Sequence, residues 1–241
     1  MAELKIGILG GTGNMGRGLT VRWALKHNIL IGSRTLEKAQ ATAKELEKIA
    51  RGFYQSEMKG GIIGKLNADA IKESEVIVVT LPPEAVVSSL TELRQYMNPD
   101  QVVVSTVVAM KKRRGLFRCA TISAKELGIG EDLSAAEVVQ DLVKPTPVVS
   151  AFQTVPAAYL SNIDSVLNLD VLIAGDDELA VNIVSKLVRD IPNLRPLRVG
   201  PLENSKWIES ITPLLLNAAV LNNLQEPSLR VVPWMPASYT A

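Results

Sequence analysis

One short string constrains this chain more than any other. Gly11-Thr12-Gly13-Asn14-Met15-Gly16 satisfies G-x-G-x-x-G. It follows the apolar run of residues 4–9 and opens a stretch with helical spacing at Met15, Leu19, Arg22 and Trp23. A strand that ends in such glycines and restarts as a helix predicts a particular geometry. The first glycine permits a tight turn, the second lets backbone approach a pyrophosphate, and the third lets helix and strand pack closely. Free N–H groups at the helix start then face the anion.

The rest of the chain continues the alternation. Short apolar runs at residues 29–32, 75–80, 102–105, 148–152, 171–174 and 197–199 read as strands. Helical patterns at residues 36–50, 67–73, 84–97, 134–142, 177–189 and 205–224 separate them. Asp176 and Asp177 suit the opening of the sixth helix after the glycine loop, because carboxylates satisfy its free N–H groups. Residues 51–65 carry Gly52, Gly60, Gly61 and Gly64 and read as a long loop or a hairpin-like insertion. Residues 111–130 read as irregular. Alternating strand and helix implies right-handed crossovers and a covered parallel sheet. The expected fold is therefore α/β: a Rossmann-type doubly wound parallel sheet over residues 1–160, with a small C-terminal α/β domain over residues 161–241.

Composition narrows the function classes. Lys plus Arg number 26 and Asp plus Glu 25, a net +1 that argues against nucleic-acid binding by bulk charge. Cys119 and His27 are the single cysteine and histidine, so neither a disulfide within the chain nor a transition-metal site is expected. The chain starts straight into a strand pattern and has no run of about 18 apolar residues. The expectation is a cytoplasmic protein that neither enters a membrane nor binds nucleic acid.

The second strand leads to the choice of dinucleotide. An NAD site usually has Asp or Glu just past it, accepting from the ribose 2′-OH. Here the chain reads Gly32-Ser33-Arg34-Thr35, with Lys38 following. A hydroxyl, a guanidinium and an ammonium suit a 2′-phosphate, and so NADP. Thr80 and Ser105 end their strands on the same rim as Gly10 and Ser33. The Leu81-Pro82-Pro83 loop is either a cofactor neighbour or a rigid strand terminator.

The chain lacks the usual acid–base equipment. His27 sits at a helix–strand turn and reads as structural, and no Tyr-x-x-x-Lys occurs. No catalytic side chain is assigned. Hydride exchange between two redox cofactors fits this pattern, since it needs two rings at reacting distance in a dry pocket more than it needs proton donors.

Several longer segments carry a family resemblance. They are Ile8-Leu9 with the glycine loop, Gly32-Ser33-Arg34, Ser134-Ala135-Ala136-Glu137, Ser150 to Ala158 (Ser-Ala-Phe-Gln-Thr-Val-Pro-Ala-Ala) and Gly175-Asp176-Asp177. Leu194 to Leu197, Gly200-Pro201-Leu202 and Glu209 to Leu214 complete the set. The chain resembles the NADPH-dependent reductases of the deazaflavin coenzyme F420. The resemblance implies reversible hydride transfer between NADP(H) and coenzyme F420 by a homo-oligomer. It implies NADP contacts at Thr12, Gly13, Asn14, Met15, Ser33, Arg34 and Lys38, with Val87 and Ala157 close by. It also implies an apolar F420 cleft between the sheet and the C-terminal part.

Two departures accompany the resemblance. Residues 111–131 form a longer segment than is usual for the family, and residues 225–241 do not follow its pattern, although Pro227 and Leu229 fall near the expected F420 site. Lys111-Lys112-Arg113-Arg114 with Arg118 is open to two readings, a solvated basic loop or a partner for the phosphate and glutamate tail of F420. Pro213 deprives the Glu209 carbonyl of its helix partner, which allows a kink over a cleft or a plain packing kink. The rival functions are an NADPH-dependent reductase of an imine, flavin or ferric chelate, and a non-catalytic NADP sensor. The C-terminal segments favour F420.

Overall fold

The computed structural model describes residues 3–130 and 132–232. The last nine residues of the expected second domain, and Glu131 of the long segment, lie outside the described residues. Ten strands are found among those described: β1 (Lys5–Leu9), β2 (Asn28–Ser33), β3 (Ile62–Leu66), β4 (Val76–Val79), β5 (Val102–Ser105), β6 (Met110–Arg113), β7 (Leu116–Cys119), β8 (Val148–Ser150), β9 (Leu169–Gly175) and β10 (Leu194–Arg198). The helices are α1 (Asn14–Trp23), α2 (Leu36–Tyr54), α3 (Asn67–Lys72), α4 (Pro83–Leu93), α5 (Ala135–Val143), α6 (Ala157–Ser161), α7 (Glu178–Asp190) and α8 (Ser205–Asn222).

Eight strands form one sheet in the order β10-β9-β8-β5-β4-β1-β2-β3. From β3 to β8 every pairing is parallel, which is the doubly wound arrangement expected. Its direction of winding reverses between β1 and β4, where such sheets open a ligand crevice. β9 then pairs antiparallel with β8, and β10 pairs parallel with β9. The sheet thus continues through residue 160 into the C-terminal third.

Alternation along the central strands divides the core. Ile6, Ile8, Val76, Val78 and Val104 face one side, with Leu19 and Trp23 of α1 and Val184 of α7. Leu9, Ile77, Val79 and Val103 face the other, with Leu90 of α4 and Val138 of α5. Strands buried on both faces read as continuous apolar runs, which is why they were legible.

Residues 51–65 correct the sequence reading. α2 continues to Tyr54, and β3 pairs in parallel with β2 as the sheet edge. Gly64 lies on that strand for a packing reason. A Cβ there would sit 2.3 Å from the Ala39 carbonyl carbon, so the glycine lets α2 lie close over the strand. Residues 110–119 are a second correction, because β6 and β7 make a separate antiparallel hairpin.

α1 ties the early and late parts of the chain. Gly18 packs on α6, where an added Cβ would meet Leu160 at 2.5 Å. The buried Arg22 guanidinium donates to the carbonyls of Leu160, Tyr159, Asn162 and Ser165 at 2.7–3.2 Å. Trp23 is fully buried, donates to the Leu187 carbonyl at 2.8 Å and meets Phe152 edge-on at 5.5 Å.

His27 is structural, as expected. It is 2% exposed, its Nδ1 accepts from Leu4 N–H at 3.3 Å, and its Nε2 lies 3.2 Å from Asp190 Oδ2. An Nδ1 that accepts requires the neutral ring with its proton on Nε2. Burial lowers the His27 pKa below its ordinary 6.5, against the upward pull of Asp190. The contribution of the neutral ring to stability is therefore full above about 6.5 and is lost as pH falls through the depressed folded value. An NMR titration of this single imidazole is expected to show a midpoint below 6.5. A midpoint at or above that value would mean that Asp190 outweighs burial.

Candidate functional site

The glycine loop joins β1 to α1 at the reversal point of the sheet. Gly10 takes φ +80°, and a Cβ at Gly16 would lie 2.6 Å from Gly11 Cα. These two positions therefore exclude side chains. Gly13 caps α1, its N–H donating to the Gly10 carbonyl at 2.9 Å, and a Cβ on it would approach nothing closer than the Gly10 oxygen at 3.4 Å. Crowding below and space above is the shape a pyrophosphate requires. Asn14 and Met15 are the first two residues of α1, whose initial N–H groups have no helical partner.

A cleft of about 320 Å³ opens beside this loop. Thr12, Gly13, Ser33, Arg34 and Lys38 line it together, so the structure gathers five of the expected contacts. Arg34 and Lys38 are exposed, and neither has a carboxylate partner among the described residues. Thr80, Leu81 and Pro82 form the opposite wall, where Thr80 donates to the Leu9 carbonyl at 2.9 Å. The proline loop after β4 is thus a neighbour of the cleft. Asn67, Ser88 and Ser89 also line it and were not anticipated. Asn67 Oδ1 is buried without a hydrogen-bond partner among the described residues. Asn67 follows β3 and opens α3, the helix expected at residues 67–73, and the edge strand before it brings it to this cleft.

The cradle, the unmatched cations and the unmet acceptor fit a phosphorylated dinucleotide. The two remaining expected residues lie elsewhere. Val87 lines a groove of about 290 Å³ between α4 and the base of the hairpin, with Ala109, Met110 and Ala120. Ala157 is the first residue of α6, and Pro156 before it belongs to a different cavity.

That cavity has a volume of about 410 Å³ and an apolar wall. Gln153, Thr154, Val155 and Pro156, which follow β8, form one side. Thr212, Leu215, Leu216 and Ala219 of α8 form the other, and Leu224 to Pro227 close the end. The 153–156 segment is fixed from three directions. Gln153 Nε2 donates to the Ser105 carbonyl at 2.9 Å and to Ser150 Oγ at 2.8 Å. Thr212 Oγ1 donates to the Gln153 carbonyl at 2.9 Å, and Ser228 Oγ to the Thr154 carbonyl at 2.7 Å. Pro227 lines the cavity, whereas the Leu229 carbonyl accepts from Asp170 N–H at 3.0 Å and holds the tail against β9.

α8 runs unbroken through Pro213 and is anchored by a carboxylate. Glu209, 8% exposed, accepts from Ala135 and Ala136 N–H at 2.9 and 3.1 Å, so it caps α5 from outside. Burial pushes its pKa up to about 7 against those two donors. Ser134 and Glu137 form the capping box of α5, an arrangement the sequence pattern S-x-x-E announces.

Comparisons with known proteins bear on the family and the fold. Residues 5–109 match the family described as NADP oxidoreductase coenzyme F420-dependent. An F420-dependent NADP reductase of Methanocaldococcus jannaschii is 36% identical over 233 residues, covering 95% of this chain and 98% of that one. One from Methanothermobacter marburgensis is 32% identical over 229 residues, with the same coverages of 95% and 98%. A crystal structure from Arthrobacter sp. FB24, assigned as an F420-dependent NADP-reductase, superposes with a TM-score of 0.73 at 18% identity over 95% of this chain and 100% of that one. An imine reductase of Bacillus cereus shares the fold with a TM-score of 0.55 at 14% identity over 91% of this chain and 63% of that one.

The role expected of Arg34 from the sequence, holding a 2′-phosphate, can be tested directly. Loss of a charge-assisted hydrogen bond costs about 1.5–3 kcal/mol, so Arg34→Ala is expected to raise KM for NADPH roughly ten- to a hundredfold. KM for NADH should change far less. Equal losses for both dinucleotides would remove Arg34 from this role.

Proposed function

The chain belongs to the F420-dependent NADP reductase family, and from that premise we propose how its two clefts divide the reactants. The enzyme catalyses reversible hydride transfer between NADP(H) and the deazaflavin coenzyme F420. NADP is assigned to the cleft of Thr12, Gly13, Ser33, Arg34 and Lys38, with Asn14 and Met15 offering the first N–H groups of α1. Val87 and Ala157, expected near the cofactor from the family resemblance, do not line this cleft. F420 is assigned to the apolar cavity between residues 153–156 and α8.

The observation that carries this assignment is the pairing of two unlike clefts on one rim. One combines glycine backbone with unmatched cations, and the other is mainly apolar. A hydride carries both electrons, and the proton that completes reduction of the deazaflavin can come from solvent. The protein's part is then to orient two rings and exclude water, which agrees with the absence of an assigned acid or base. Residues 1–160 hold NADP in this reading, and residues 161–241 close the F420 cavity while also extending the sheet.

We further infer a homo-oligomer. Trp207, Leu214 and Leu221 recur every seven residues on α8 and are 68%, 66% and 69% exposed, a stripe that a second copy would cover. Sedimentation equilibrium of the purified protein should give a multiple of the chain mass, and a monomer would end this part of the reading. A cytoplasmic location is inferred because both reactants are diffusible carriers of the cell interior. Cell fractionation should place the protein in the soluble cytoplasmic fraction.

Mixing the protein with F420 and NADPH is expected to bleach the visible absorbance of the oxidised deazaflavin. NADH in place of NADPH, or FMN in place of F420, should give little change. NADPH binding without bleaching would instead support another acceptor or a sensor.

A further inference from the structure

The β6–β7 hairpin follows β5, the strand between β4 and β8, and has no part in the reaction described so far. In the sheet β5 lies between β4 and β8, and the chain leaving the carboxyl end of β5 forms this hairpin. The segment after β4 lines the NADP cleft, and the segment after β8 lines the apolar cavity.

Its charge is one-sided. Lys111, Lys112, Arg113, Arg114 and Arg118 are all exposed, and among the described residues none has a carboxylate partner. Lys111 is registered directly opposite Arg118, and like charges so placed destabilise a hairpin. Arg113 shares their face by the alternation of the strand. At the tip, Arg114 and Gly115 take φ +53° and +81° in a two-residue turn that favours Asn-Gly. An arginine there retains charge against backbone preference.

The hairpin is also fixed in place. Asn217 of α8 accepts from Phe117 N–H at 2.7 Å and donates to the Phe117 carbonyl at 2.8 Å. The helix that walls the apolar cavity thus carries the basic hairpin on its flank. A freely solvated loop needs neither opposed cations nor this anchor.

We propose that the hairpin is the subsite for the anionic tail of the deazaflavin substrate, with Lys111, Arg113 and Arg118 meeting its phosphodiester and glutamate carboxylates. This rests on F420 being the acceptor. An anion on that face relieves the repulsion between Lys111 and Arg118, while the NADP phosphates have the glycine loop and Arg34.

The test compares F420 with the tail-less deazaflavin that ends at its ribityl chain. Replacing Lys111, Arg113 and Arg118 together by glutamine should raise KM for F420 about tenfold, as expected for several exposed charge contacts. It should leave kcat, KM for NADPH and KM for the tail-less compound unchanged. The wild-type KM for F420 should also rise with salt and that of the variant should not. An unchanged KM for F420, or an equal rise for both deazaflavins, would overturn the subsite while leaving the reaction intact. A wild type that bleaches neither deazaflavin would overturn the acceptor assignment and the subsite with it.

Discussion

A guanidinium can be buried only where its donors find acceptors, and Arg22 meets that condition with four backbone carbonyls from residues 159–165. The match is chemical, because a carbonyl-lined turn offers only acceptors and a guanidinium only donors. The consequence reaches both clefts. The amino end of α1 shapes the pyrophosphate loop, and the segment just before α6 walls the apolar cavity. Gly18, with no room for a Cβ against Leu160, sets the spacing between them. One helix therefore fixes the relation of the two clefts.

The legible parts of the sequence were those in which local pattern and local chemistry coincide. β1, the glycine loop and α1 form one motif whose residues act within a few positions of one another. The Ser33-Arg34-Lys38 cluster was readable for the same reason, since the end of a strand and the start of the next helix lie side by side in any such sheet. The S-x-x-E capping box and the Asp177 cap, which accepts from Ala180 N–H at 2.7 Å, belong to this class.

What escaped the reading depends on distant partners. β3 looks like a loop because Gly64 answers to α2, packed above it, and Gly60 just before it to the backbone of Ala24 and His27. β6 and β7 have no apolar face of the usual length, and their pairing is held partly by Asn217, a hundred residues away. Asn67 joins the cleft beside the glycine loop only because β3, the strand before it, pairs with β2. Glu209 gave no local signal at all: its role as an outside cap of α5 exists only when α8 has docked. The same holds for the apolar cavity, assembled from residues after β8, the middle of α8 and the tail.

The order of the sheet has one more effect. The strand between the two clefts, β5, leaves β4 and β8 two strand spacings apart, roughly 10 Å. In the reading proposed above, the dinucleotide reaches this divide from the β4 side and the deazaflavin from the β8 side. The frame that separates the clefts thus also sets the one span across which the two rings must meet.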